Sequence, residues 1–229
     1  MEKFRHKFKI YKNGFTLAEV LITLVIIGVV AAMTIPTLVN RTNKEELRTG
    51  LLKAQSVLSG ALEKFYTKNG YKLTPAELVY SGSGTRVYLK DKIMPYFSVA
   101  KDCGTASCAN STIANYKNFS GTTGIQYGLI DDGQFVLNDG MTVFIENYTG
   151  SIYIAVDVNG HEKKPNKPGH DLFFFQMNNE GNLVPMGAEG TDYYSATNAY
   201  CSKTSSSNVN GFGCTAKALN DANYFKNLP

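Results

Sequence analysis

A single carboxylate lies near the start of an otherwise apolar run. Residues 15–35 contain one ionisable side chain, Glu19. As a helix, a run of this length covers about 30 Å, one hydrocarbon thickness. A charge inside a bilayer costs about 2.5–3.5 kcal/mol on insertion scales, so it is retained where a partner neutralises it. Glu19 therefore predicts a partner that neutralises its charge. The simpler alternative is a carboxylate that complements the start of a helix, worth about 0.3–1 kcal/mol.

Four cysteines form two local pairs, Cys103 with Cys108 and Cys201 with Cys214. An even number behind a membrane-directing segment favours disulfides and an oxidising compartment. Of the three connectivities, local pairing is preferred because each pair brackets a loop rich in glycine and serine. Zinc held by all four thiolates is the weaker alternative, since the C-x12-C spacing is unlike that of zinc ligands.

Residues 157–171 offer oxygen ligands at Asp157, Asn159, Asn166 and Asp171. Calcium takes six to eight oxygens, so a calcium site at Asp157, Asn159 and Asp171 is one interpretation. The EF-hand spacing is absent, and three lysines in the same segment oppose a cation. The preferred interpretation is a loop between strands, stabilised by Asx turns and prolines.

Catalytic chemistry has little support in this sequence. Its three histidines, His6, His161 and His170, accompany no G-x-S-x-G motif, P-loop or G-x-G-x-x-G motif. We therefore expect no enzymatic activity, and no cofactor apart from the calcium alternative.

The net charge of +4 belongs entirely to residues 1–14, which hold five basic residues and one acidic residue. The rest of the chain balances, so the charge does not predict a nucleic-acid partner. Basic residues directly before an apolar helix predict a cytoplasmic N-terminus and an exported remainder.

The apolar run ends at Pro36, which is expected to kink a helix that continues beyond it. Residues 37–66 repeat apolar positions in steps of mostly three or four, which is typical of an amphipathic helix with one buried stripe. That stripe consists of Leu47, Leu51, Ala54, Leu58, Ala61, Leu62 and Phe65.

A short helix is expected at residues 88–97, followed by runs rich in β-branched and aromatic residues. Asp-Gly and similar turns separate these runs, which predicts an antiparallel meander of four or five strands with the amphipathic helix on one side. The predicted strands are 125–130, 134–138, 141–148, 151–158 and 171–177, and residues 188–214 are expected to form a long loop.

Residues 12–19, KNGFTLAE, and the apolar helix after them resemble the prepilin cleavage and methylation motif of type IV pilins and type II secretion pseudopilins. Ala18 departs mildly from the family's usual aliphatic residue, and Pro36 matches its kinking proline. The resemblance implies a pilin-like α+β fold, in which a long kinked N-terminal helix packs on an antiparallel β-sheet.

It also implies four segments. Residues 1–14 would be a cleaved leader, 15–36 the transmembrane and filament-core helix, 37–68 its amphipathic continuation, and 69–229 a globular α+β domain. A prepilin peptidase would cut between Gly14 and Phe15 and methylate the new amine. In such filaments a glutamate in the position of Glu19 pairs with the N-terminal amine of a neighbouring subunit.

The implied function is a structural subunit, held in the bacterial inner membrane and polymerised into a secretion pseudopilus or a type IV pilus. Its globular domain would be periplasmic before assembly. Its partners would be identical or related subunits, the prepilin peptidase and an inner-membrane assembly platform. The alternative is a membrane-tethered or filament-tip binding module. The sequence does not distinguish the machines, nor a major from a minor subunit.

Overall fold

The computed structural model describes residues 14–78, 89–109, 116–148 and 150–229. The chain divides into two compact units, Met1–Asn43 and Lys44–Pro229. This boundary lies within the predicted amphipathic segment rather than at either of its ends.

Helix α1 is Leu17–Asn69 and contains Pro36. The prediction that the helix continues beyond the proline is therefore confirmed. It ends as many helices do, because Gly70 adopts a positive φ of 77° and its N–H bonds the carbonyl of Tyr66. The Asn69 side chain also donates to the carbonyl of Phe65 at 2.8 Å.

Six strands form one antiparallel sheet in chain order. They are β1 Val99–Asp102, β2 Gly133–Leu137, β3 Thr142–Tyr148, β4 Ser151–Asp157, β5 Leu172–Met177 and β6 Leu183–Pro185. The short helices are α2 Leu89–Ile93, which a 3-10 turn at Met94–Tyr96 extends, and α3 Thr215–Asn220. The predicted meander and the short helix before it are confirmed, although Tyr88 lies outside the described residues.

Strands β2 to β5 correspond to four of the predicted runs, whereas the predicted strand at 125–130 is wrong. That segment contains a 3-10 turn, Tyr127–Leu129, and the N–H of Gln126 bonds the carbonyl of Asn208 in a distant loop. Its apolar side chains pack as an irregular layer over the sheet, a use that apolar content alone does not distinguish from a strand.

The remaining two strands, β1 and β6, were not predicted. Both lie at sheet edges, and β6 has only three residues and ends at Pro185. Short edge strands carry a weak sequence pattern and tolerate proline.

Both faces of the sheet are buried. On one face, alternate side chains such as Val143, Ile145 and Ile154 pack with Leu51 and Leu58 of α1. The predicted helical stripe is confirmed, since its seven residues are buried or packed against this core.

The opposite face forms a second core that the sequence did not predict. Phe144 and Phe174 pack there against Tyr116, Ile130 and Phe212 from the connecting segments. Successive side chains of a strand point to opposite faces of the sheet, and a core covers each face. Nearly every side chain of β4 and β5 is therefore buried.

Candidate functional site

The junction between Gly14 and Phe15 lies directly before α1 and outside it. Phe15 is 87% exposed. A Cβ added at Gly14 would meet no atom of the described residues within 4 Å. Packing among the described residues therefore does not require glycine at this position.

Thr16 and Glu19 cap the first turn of α1 reciprocally. The Thr16 backbone N–H and hydroxyl both donate to Glu19 Oε2 at 2.8 Å, and the Glu19 N–H donates to Thr16 Oγ1 at 3.2 Å. This is a capping box, which satisfies N–H groups that have no partner within the helix. Both Thr16 donors bond the same carboxylate oxygen, so Oε1 is not engaged by Thr16.

Of the described residues, one helix is long and apolar enough to cross a membrane. The segment is Leu17–Pro36, with a mean hydropathy of 2.5 and none of the window buried. The capping box therefore lies at the first turn of the candidate span, and Pro36 lies at its last residue.

The disulfides are Cys103–Cys108 and Cys201–Cys214, with Cα atoms 5.3 and 5.0 Å apart. Local pairing is the arrangement predicted from the spacing. Because all four sulfurs are bonded in pairs, the four-thiolate zinc alternative is wrong.

The carboxylates Asp157 and Asp171 lie at the base of the loop that joins β4 to β5. Both are 0% exposed. The Tyr116 hydroxyl donates to Asp157, while the N–H groups of Asn166 and Lys167 donate to the two oxygens of Asp171, each at 2.7 Å. The structure therefore brings together two of the three predicted calcium ligands and adds Tyr116, a partner 41 positions before Asp157.

The third predicted ligand, Asn159, belongs to the same loop. Its N–H donates to Asp157 Oδ1 at 3.3 Å, which is the Asx turn of the preferred interpretation. Burial, and then the negative charge of Asp171, raise the pKa of Asp157, and burial raises the pKa of Asp171. These shifts show that the folded chain holds two carboxylates in a site where ionisation is costly.

The two histidines of this region lie within hydrogen-bond distance of other groups of the fold. Both His161 and His170 are buried, and burial lowers the pKa of each, that of His170 to about 4. His161 Nδ1 lies 2.8 Å from the Thr142 hydroxyl, and His170 Nε2 lies 3.3 Å from the carbonyl of Phe119.

An acidic cluster that the sequence did not predict comprises Asp131, Asp132 and Glu146. One carboxylate oxygen from each lies within 4.8 Å of the other two. The register of β2 against β3, which pairs Gly133 with Ile145, brings these positions together. The adjacent aspartates were visible in the sequence, but the strand register that adds Glu146 was not.

Comparison with known proteins places the N-terminal segment in context. The family model described as the prokaryotic N-terminal methylation motif matches residues 10–35. A fimbrial protein of Neisseria meningitidis serogroup B is 28% identical over 104 residues, which cover 45% of this chain and 59% of that protein. A fimbrial protein of N. meningitidis serogroup A is 27% identical over the same shares.

The similarity thus spans less than two thirds of each relative, and no solved structure matches the chain. The matched motif contains the exposed junction and the capping box, and it ends one residue before Pro36. The chain therefore carries the prokaryotic N-terminal methylation motif on a pilin-like α+β fold.

Proposed function

We propose that the chain is a structural subunit that enters a type IV pilus or a related secretion pseudopilus after its leader is removed. The observation that carries the proposal is the methylation motif at residues 10–35, whose junction is exposed directly before a capped apolar helix. The similarity to fimbrial proteins supports a filament rather than a catalytic role.

The first step is cleavage between Gly14 and Phe15 by a prepilin peptidase. A Cβ at Gly14 would meet no described atom within 4 Å, so packing among the described residues gives no reason for glycine. A narrow protease cleft does, because glycine lets the substrate backbone approach closely. Cleavage also removes all five basic residues that hold the leader at the cytoplasmic face.

Glu19 then has two roles. Its Oε2 stays with Thr16 and caps the helix, while the carboxylate retains the charge to pair with the methylated amine of Phe15 in a neighbouring subunit. Such a pair neutralises a charge that is costly in an apolar surrounding.

The span Leu17–Pro36 anchors the processed subunit in the bacterial inner membrane and then packs in the filament core. Both environments are apolar, so the transfer leaves its side chains in similar surroundings. The disulfides Cys103–Cys108 and Cys201–Cys214 suit an exported globular unit, because periplasmic and surface proteins keep such bonds.

The test is the N-terminal sequence and mass of the mature protein, made in cells with a prepilin peptidase. We expect a chain that begins at methylated Phe15, and we expect Gly14→Leu to retain the leader. Gly28→Ala is the matched control, since Gly28 also has open space around it but lies inside the helix. A mature N-terminus at any other residue would overturn the processing step.

A second measurement, of where the processed chain is found, distinguishes a filament subunit from a membrane-tethered binding module. Sheared surface filaments, or overproduced pseudopili, are expected to contain the processed chain. A processed chain found only as membrane-bound monomers would favour the tethered module instead.

A further inference from the structure

A group of lysine amines gathers where the globular unit, Lys44–Pro229, begins. The amine of Lys44 on α1 donates to the carbonyl of Lys226 at 3.1 Å. Lys44 and Lys167 both lie near the imidazole of His170, whose pKa is lowered first by burial and then by the positive charges of Lys167 and Lys44. Lys167 belongs to the loop between β4 and β5, where two exposed lysines precede it. The group, called the basic face below, consists of Lys44, Lys163, Lys164, Lys167 and Lys226.

The loop between β4 and β5 lies beside the part of α1 that opens this unit. A Cβ added at Gly50, under about two helical turns after Lys44, would come within 3.0 Å of the Cβ of Val158. Val158 is the first residue of the loop, directly after β4. The lysines of the loop are therefore held at the same end of the unit as Lys44.

No carboxylate among the described residues forms an ion pair with the basic face. The lysines that form ion pairs within these segments are Lys53 and Lys90. Lys44 donates to a backbone carbonyl, and Lys226 donates to the amide oxygen of Asn223 at 3.2 Å, so both acceptors are neutral. Because an ammonium group has three donors, each of these two amines keeps donors for an external anion.

The acidic side chains nearest in sequence do not cancel this charge. Glu45 and Glu46 are exposed and follow Lys44 on α1, so helical geometry turns them about 100° and 200° away from it. Glu162 precedes the two exposed loop lysines, and 85% of its side chain is exposed to solvent. The basic face therefore carries an excess of positive charge.

The polypeptide ties this face to the candidate membrane span. The span ends at Pro36, and eight positions of α1 separate Pro36 from Lys44. Eight helical residues measure about 12 Å, so a bilayer that holds the span lies close to Lys44 whatever the angle between the two units. Electrostatic attraction between exposed charges extends about 10 Å at about 0.1 M salt.

We propose that the basic face binds anionic phospholipid headgroups on the periplasmic surface of the inner membrane and holds the globular unit against the bilayer before assembly. This inference rests on the membrane anchor of the proposed function. Lysine amines donate to phosphate oxygens, and each lysine close to an anionic bilayer strengthens binding by about fivefold. Nucleic acid presents the same phosphate charge, but the span brings headgroups to this end of the unit and brings no nucleic acid there.

The experiment measures the acetylation rate of each lysine by mass spectrometry. The full-length chain is reconstituted in nanodiscs of phosphatidylcholine, with and without phosphatidylglycerol, and treated with a water-soluble acetylating reagent. Phosphatidylglycerol is expected to slow acetylation of the basic face by about fivefold. Raising the salt from about 0.1 M to about 1 M should abolish this protection, because the screening length falls from about 10 Å to about 3 Å.

Two lysines elsewhere on α1 are internal controls. Lys64 and Lys68 are exposed and lie at least 20 positions, or about 30 Å of helix, after Lys44. Their acetylation rates should be the same in both kinds of nanodisc, because they lie beyond the reach of the headgroup charge at about 0.1 M salt.

Charge reversal within the basic face makes the test specific. Lys163→Glu combined with Lys164→Glu changes two exposed side chains, and it should return the other lysines of the face to their acetylation rate in neutral nanodiscs. The matched control combines Lys64→Glu with Lys68→Glu, which is the same change of charge at the far end of α1. That control should keep the protection.

Equal acetylation of the basic face in the two kinds of nanodisc would overturn the proposal, as would protection that survives the charge reversal. A DNA oligonucleotide added to neutral nanodiscs is expected to protect the face less than phosphatidylglycerol does, and equal protection would assign the face to nucleic acid instead. A chain that does not remain with the nanodiscs would refute the membrane anchor and this inference with it, whereas the other outcomes leave the anchor intact.

Discussion

Glu19 offers the sharpest test of filament assembly, because its helix capping and its proposed charge pairing respond differently to substitution. Glu19→Gln removes the charge but keeps an oxygen that accepts both Thr16 donors, and glutamine is an accepted member of a capping box. Thr16→Ala does the reverse, since it weakens the cap but leaves the carboxylate. The pair therefore separates helix capping from charge pairing.

The expected magnitudes follow from the hydrogen bonds that each substitution removes. Losing an N-cap side chain costs about 0.5–2 kcal/mol, and in Thr16→Ala the Thr16 backbone N–H still bonds Glu19. Losing a hydrogen bond to a charged group costs about 1.5–3 kcal/mol, which is about 10- to 150-fold in an association constant. We therefore expect Glu19→Gln to reduce filament incorporation strongly and Thr16→Ala to reduce it mildly.

The assay compares the amounts of each variant in sheared filaments and in the membrane fraction, in cells that carry the chain's own assembly system. Glu19→Gln should reach the membrane at wild-type level or above, because a neutral side chain inserts at lower cost. Its ratio of filament to membrane protein should fall at least about tenfold, as the lost charged bond requires.

Wild-type incorporation of Glu19→Gln would refute the charge-pairing mechanism. If Thr16→Ala were impaired as strongly as Glu19→Gln, the helix cap would matter as much for incorporation as the charge of Glu19, and the mild effect expected of the cap would be wrong. Mass spectrometry of the membrane fraction serves as the control, because both variants must be cleaved normally for the comparison to hold.

Two further predictions concern the globular unit. Leu58→Ala should lower the free energy of unfolding, measured by urea denaturation, by about 2–5 kcal/mol, because Leu58 is 1% exposed and packs against the sheet. Leu52→Ala is the control: Leu52 is 51% exposed, so this change should alter the free energy of unfolding by under about 1 kcal/mol. Equal effects of the two substitutions would contradict the packing of α1 on the sheet. Asp102 accepts a hydrogen bond from the buried amine of Lys90 at 2.6 Å, which lowers the pKa of Asp102. Because the folded state holds this carboxyl ionised, the ion pair contributes to the free energy of unfolding at a pH above the pKa of Asp102. We expect wild type to be more stable than Asp102→Asn at pH 7 by under about 1 kcal/mol, since Asp102 is 45% exposed, and we expect this difference to shrink as the pH falls through the pKa. A difference that is constant from pH 7 to about pH 2 would contradict the ion pair.

Much of this protein follows from local sequence. An apolar run of membrane length, a stripe in steps of three or four, and Asp-Gly turns are each set by residues close together in the chain. The structure accordingly has α1 as expected, and the hairpin between β2 and β3 turns at Gly140, whose φ is 90°. The two disulfides also follow this rule, because each closes a short loop.

The errors occurred where distant segments decide the conformation. Residues 125–130 carry the composition of a strand, yet the bond from Gln126 to Asn208 and the burial of Ile130 in the second core hold them in an irregular layer. Composition reports how much apolar surface a segment must bury, but not the partner that buries it.

The candidate sites divide in the same way. Gly14, Phe15 and Glu19 lie within six consecutive residues, so their resemblance to the prepilin motif was visible in the sequence and predicted the junction and the role of the carboxylate. The approach of Tyr116 to Asp157 depends on where β4, β5 and their loop fold back. The sequence determines the helix, its apolar span and its motif because these need only neighbouring residues, whereas the buried polar loop exists only after the sheet has set its register.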